Sequence, residues 1–182
     1  MALYEMNGKR PRVDPSAWVA PSADIIGDVW IGPGCYVGWQ AVLRADNGPI
    51  RVEEGSAVEE GVLIHVLPKS IGGGCWIGSQ VTIGHGAILH NCRAEDFSVI
   101  GIGSTICNHA IVGEWAIIGE MSLVVSHQVI PRESIAVGHP AEVIGSIREE
   151  QRTFWLKGKS LYQNYARINK EQMIPLERGG RC

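Results

Sequence analysis

The chain has 182 residues and a net charge of −3, enough length to bury one core and little for two. Its 23 glycines, 6 tryptophans and Val/Ile-rich apolar set favour strands and turns over a helical bundle. Charge is divided unevenly: residues 147–182 carry eight Lys/Arg against four Asp/Glu, +4, leaving −7 on residues 1–146. With no denser basic cluster, this reads as a solvated helix on an acidic body and argues against a nucleic-acid partner. No apolar run is long enough to span a bilayer and no charged–apolar–small leader opens the chain, so a cytoplasmic protein without a membrane partner is expected. The five cysteines (Cys35, Cys75, Cys92, Cys107, Cys182) form no CxxC pair and read as small buried apolar residues, with Cys182 on a loose tail.

Residues 1–12 form a polar lead-in with room for one short strand. From Val13 an aliphatic residue recurs every six positions through Val19, Ile25, Ile31, Val37 and Leu43. The count slips by three and resumes at Val52, Val58 and Ile64, then slips by one and runs Ile71, Ile77, Ile83, Leu89. After a last shift it continues Ala94, Ile100, Ile106, Val112, Ile118, Val124, Ile130, giving twenty hexads. The fourth residue after each aliphatic one is Ala, Ser, Cys or Val in sixteen of the twenty, which fixes the register of tight corners. Glycine commonly follows the aliphatic residue, as at Gly32, Gly78 and Gly101, and suits corners and close backbone approach. GHPAEVIGSI (138–147) ends the coil, so residues 1–146 form the repeat domain and 147–182 a helix and tail packed on it. Ser160 is the expected cap of a helical stripe of Leu161, Tyr162, Tyr165 and Ile168, preceded by an apolar knot at Phe154, Trp155 and Leu156. Residues 175–182 are expected to be disordered.

Short strands with a corner every six residues coil into a prism, and the pattern resembles the hexapeptide-repeat left-handed β-helix. That resemblance implies an all-β, left-handed parallel β-helix with a C-terminal α-helix, three hexads to a turn and six to seven turns.

The chemistry gathers at Ile64-His65-Val66 and VTIGHGAILH (81–90). Side chains alternate along a strand, so a residue just after an inward aliphatic one points outward. His65 and His90 hold that slot, as do Arg44, Glu53 and Glu59, whereas His85 lies one place further and aims differently. Three imidazoles suit a tetrahedral zinc site with one open position. Because His85 is off register, a site shared across a subunit interface is the simpler expectation. His109, His127 and His139 lack such an arrangement.

WQAVLRAD (39–46), GVLIHV (61–66), VTIGH (81–85) and LHNC (89–92) resemble the γ-class carbonic anhydrases over about residues 10–172. The resemblance implies a homotrimer with one metal at each interface, His65 and His90 from one subunit and His85 from its neighbour. It implies a linking pair in Arg44 and Asp46, and reversible hydration of carbon dioxide to bicarbonate by metal-activated water. Zinc is the implied cofactor, and cobalt(II) or iron(II) suits the same ligands.

The chain departs from the family pattern at three places. Ala57-Val58-Glu59-Glu60 stands where the family shows Asn-x-Gln-Asp, so Glu59 replaces a glutamine that contacts metal-bound water; as a carboxylate it is either a general base or a brake on ionisation. Val66-Leu67-Pro68-Lys69 supplies no acidic shuttle loop after His65, and Asn47 stands where the catalysts are acidic. Three alternatives follow. An acyltransferase is disfavoured by Glu142 after Pro140-Ala141, where those enzymes often carry a basic residue. A CoA-thioester hydrolase would follow the accessory proteins of phenylacetate and carnitine metabolism, with acyl-CoA as substrate. The third is a non-enzymatic scaffold.

Overall fold

A computed structural model describes residues 2–176. The hexads close into a left-handed parallel β-helix whose three faces each carry seven parallel rungs. The first face runs from Ala2–Tyr4 through Leu63–His65 and Ile88–His90 to Leu123–Val124. The second runs from Arg12–Val13 through Cys75–Ile77 to Val129–Ile130, and the third from Trp18–Val19 through Thr82–Ile83 to Ser134–Val137. Strands Asp24–Ile31 and Val42–Val52 pass round a corner and serve two faces, which is where the three-residue slip is absorbed. The coil closes where Glu142–Ser146 turns back antiparallel on Ser134–Val137.

The aliphatic positions fill the prism. Ile25, Leu43, Ile64, Leu89 and Ile106 stack on successive rungs of the first face, and each is fully buried. Burying each such side chain contributes about 1.5–3 kcal/mol before chain entropy is charged against it. The glycine after the aliphatic residue answers to close approach: a Cβ on Gly101 would lie 2.6 Å from the Glu120 backbone nitrogen of the next rung. The left-handed corner residues are mostly other types, among them Phe97 (φ 58°) and Trp115 (φ 59°), whose rings stack at 4.8 Å.

Ile71 is an exception to the hexad count. It sits in a one-turn 3₁₀ segment, Lys69–Ile71, and is 62% exposed, so the coil steps from Ile64 directly to Ile77. Its hexad is a loop, Leu67 to Gly74, tied down by Asn91 Oδ1, which accepts from the Gly74 amide at 2.7 Å. The loop doubles back tightly enough that a Cβ on Gly73 would overlap the Leu67 carbonyl.

The helix also differs from expectation. It runs unbroken over Glu149–Gln172, and Ser160 lies in its interior. Gln151 closes its start by accepting from the Arg148 amide at 2.9 Å. Lys159 and Ala166 are buried on its inward face and Tyr162 is half-buried, while Phe154, Leu161 and Tyr165 are exposed. The flat third face selects the i, i+3, i+7 row that reaches it, so a lysine goes in and a phenylalanine stays out. Cys35, Cys75 and Cys92 are buried and Cys107 is half-buried; burial pushes the Cys35 thiol up to about 12. Cys182 lies outside the described residues, as do positions 177–181 of the expected tail. Among the described residues no helix is long and apolar enough to cross a membrane.

Candidate metal centre

Parallel pairing carries the outward slots of the first face into one column. Arg44 pairs with His65, and His65 with His90. His90 follows His65 by 25 positions, but the Leu67–Gly74 loop takes up the surplus and leaves them on adjacent rungs. Their rings stand 5.1 Å apart, with His65 Nδ1 3.1 Å from His90 Nε2.

The far nitrogens are engaged as well. His65 Nε2 lies 3.1 Å from Asp46 Oδ1 and 2.9 Å from an Arg44 guanidinium nitrogen, so either tautomer finds a partner. Arg44 and Asp46 pair at 3.4 Å. His90 Nδ1 lies 2.5 Å from Asn108 Oδ1. Burial lowers the His65 pKa, against the Asp46 hydrogen bond and with Arg44 adding to the fall. A neutral imidazole is the form that binds a metal.

His85 is elsewhere. It stands at the corner between the third and first faces, and among the described residues of one chain no three His, Cys, Asp or Glu side chains are grouped so as to hold a metal ion. Two carboxylates hold it: Nε2 lies 3.1 Å from Glu59 Oε2 and Nδ1 2.8 Å from Glu60 Oε2. Glu59 Oε2 also accepts from the His85 backbone amide at 3.1 Å. Glu60 in turn accepts from the Tyr36 hydroxyl at 2.6 Å.

Glu59 is not the solvated outward residue that alternation implies. The helix covers it and leaves it 6% exposed. Burial pushes its carboxyl pKa up, against the Tyr162 hydroxyl and His85, which hold it down. A cavity of about 270 Å³ adjoins it, with Thr82, His85, Trp155 and Tyr162 in its wall. His109 and His127 stack at 4.9 Å one corner away from His90 and are exposed.

Sequence reasoning missed Asn108, Glu60, Tyr36 and Tyr162. Asn108 had only a weak signal: the next turn of this face lies 17 residues on, with Leu89 beside Ile106, so Asn108 falls one place past the register position of His90. The tyrosines had none, since only the helix packing brings Tyr162 to Glu59.

Fold and column together define a hexapeptide-repeat protein with an outward imidazole ladder. No family model matches the chain. It is 34% identical to "Gamma carbonic anhydrase 2, mitochondrial" of Arabidopsis thaliana over 173 residues, 93% of this chain and 62% of that protein. It is 34% identical to "Carnitine operon protein CaiE" of Escherichia coli over 151 residues, 83% of this chain and 76% of that protein. A crystal structure of a Bacillus cereus protein provisionally classed as an acetyltransferase superposes with a TM-score of 0.88 at 29% identity, covering 93% of this chain and 97% of that one. The chain belongs to the γ-carbonic anhydrase-like family of hexapeptide-repeat proteins. It spans 62% of the length of the plant relative.

Proposed function

We propose that the protein is a metal-dependent hydratase of the γ-carbonic anhydrase type, a homotrimer acting on carbon dioxide and bicarbonate. The observation that carries this reading is the 3.1 Å approach of His65 Nδ1 to His90 Nε2. Zinc–nitrogen bonds of about 2.0–2.1 Å in a tetrahedron set two ligand nitrogens about 3.3 Å apart, so the pair fits one edge of such a site. The partner subunit's His85 supplies the third ligand. Two features support a second copy against this face: among the described residues the pair lacks a third ligand within its own chain, and apolar side chains border it. Leu63 and Ile88 are 38% and 42% exposed on the same strands, and Ile102 and Met121 line the corner that carries His85.

When bound, the metal supplies the Lewis acidity that makes water nucleophilic near neutral pH, and zinc, cobalt(II) and iron(II) all suit the donor set. The chain's own residues orient it. Asp46 and Asn108 hold the far nitrogens of His65 and His90, and Glu60 holds His85 Nδ1. His85 Nε2, the nitrogen that would hold the metal, now faces Glu59 Oε2, so Glu59, still anchored by the His85 backbone amide, would stand beside the ligand as an acceptor of a proton or hydrogen bond. Arg44 places a positive charge where an anionic product departs.

The test is carbon dioxide hydration by stopped flow on protein purified without oxygen and loaded with zinc, cobalt or iron, with Glu59→Gln alongside. Hydration that disappears in His90→Ala supports the reading. Stoichiometric metal without hydration in either protein overturns it.

A second reading, hydrolysis of an acyl-CoA thioester, is favoured by the carboxylate-free Leu67–Gly74 loop and by the similarity to CaiE. Turnover across a CoA-ester panel that is lost in His90→Ala would support it.

A further inference from the structure

The His90 ring is held from a direction that neither the motif nor the column predicts. Its Nδ1 meets the Oδ1 of Asn108, and its Nε2 faces His65. The backbone beneath Asn108 is anchored on both sides: the Ala110 amide donates to the Cys107 carbonyl at 3.1 Å, and the His127 amide donates to the Asn108 carbonyl at 2.9 Å. An amide oxygen only accepts. A proton on His90 Nδ1 satisfies that oxygen and leaves a lone pair on Nε2, the atom that points toward His65.

We propose that Asn108 is a positioning residue for the metal centre: it holds His90 in the Nδ1–H tautomer and presents Nε2 for coordination. This rests on the metal reading above and extends it by one residue and one atom. The three outer partners are then unequal, with carboxylates behind His65 (Asp46) and His85 (Glu60) and a neutral amide behind His90. Asn108 thereby orients the ligand without adding a third negative charge to the site.

Two measurements test it. In the metal-free wild type, the ring ¹⁵N shifts of His90 report its tautomer directly, and Nδ1–H is expected; Nε2–H overturns the proposal whatever the variants do. Cobalt(II) titration, followed by ligand-field absorption, compares wild type with Asn108→Leu, which removes the acceptor at similar size, and Asn108→Asp, which keeps it. Asn108→Leu is expected to bind about 10–100-fold more weakly with its melting temperature unchanged, and Asn108→Asp to bind at least as tightly as wild type. Equal affinity in Asn108→Leu overturns the positioning role while leaving the metal reading intact. A wild type that takes up no cobalt overturns the metal reading, and this one with it.

Discussion

Lys159 shows how far a single residue can depart from its composition. Within a basic segment that reads as solvated, it is 2% exposed, and its ammonium reaches only the Thr82 hydroxyl at 3.2 Å and the Ser98 carbonyl at 3.3 Å. Burial depresses its pKa from 10.5 to about 7. Between those values the folded chain binds fewer protons than the unfolded chain, so stability rises with pH across the window and the burden is greatest below pH 7. Lys159→Met is therefore expected to stabilise the protein by about 2–4 kcal/mol at pH 6, with the gap narrowing as pH rises toward 10. Thermal unfolding at a series of pH values checks this; a gap constant across the window would show that Lys159 does not titrate there. Glu59 teaches the same lesson for an acid. Alternation places it outward, but the helix closes over it, and its neighbours Tyr36 and Tyr162 come from segments more than twenty residues away on either side.

At the scale of elements, the hexad rule holds wherever a strand lies between two corners and fails where the chain leaves the coil. Ile83 and Ile71 have equal standing in the periodicity, yet one is fully buried on the third face and the other is 62% exposed. Ile83→Ala is expected to cost about 2–5 kcal/mol and Ile71→Ala less than about 0.5, measured by urea unfolding. Comparable losses at both positions would mean that Ile71 packs inside. The six-residue period by itself does not distinguish the two isoleucines. The Gly72-Gly73-Gly74 run and the Asn91 side chain that ties Gly74 are what eject the segment. The helix start differs for a related reason: Ser160 is a good cap by type, but Gln151 and the strand hand-over at Ser146 put the cap at Arg148, twelve residues earlier.

At the scale of the molecule, the imidazole column and the lone His85 divide the proposed site between two copies. Three chains of 19.8 kDa make an assembly of about 59 kDa. Ile88→Glu puts a charge into the apolar border of the pair without touching any ligand, and it should release monomers in sedimentation velocity and abolish stoichiometric metal binding together. Metal bound stoichiometrically by a monomeric Ile88→Glu protein would rule out a shared site.

The six-residue period alone determined the prism, its corners and the outward slot of His65 and His90, because a repeat this regular leaves one way to bury its aliphatic residues. The tertiary structure decided everything that depends on contacts between distant turns. It placed Asn108 behind His90, cast Ile71 out of the coil, and laid the helix so that Lys159 and Glu59 lost their water. Periodicity is a local property and specifies which way a side chain leaves its own strand. What that side chain meets is set by the next turn 17 or more residues on, and by a helix whose seating no repeat encodes.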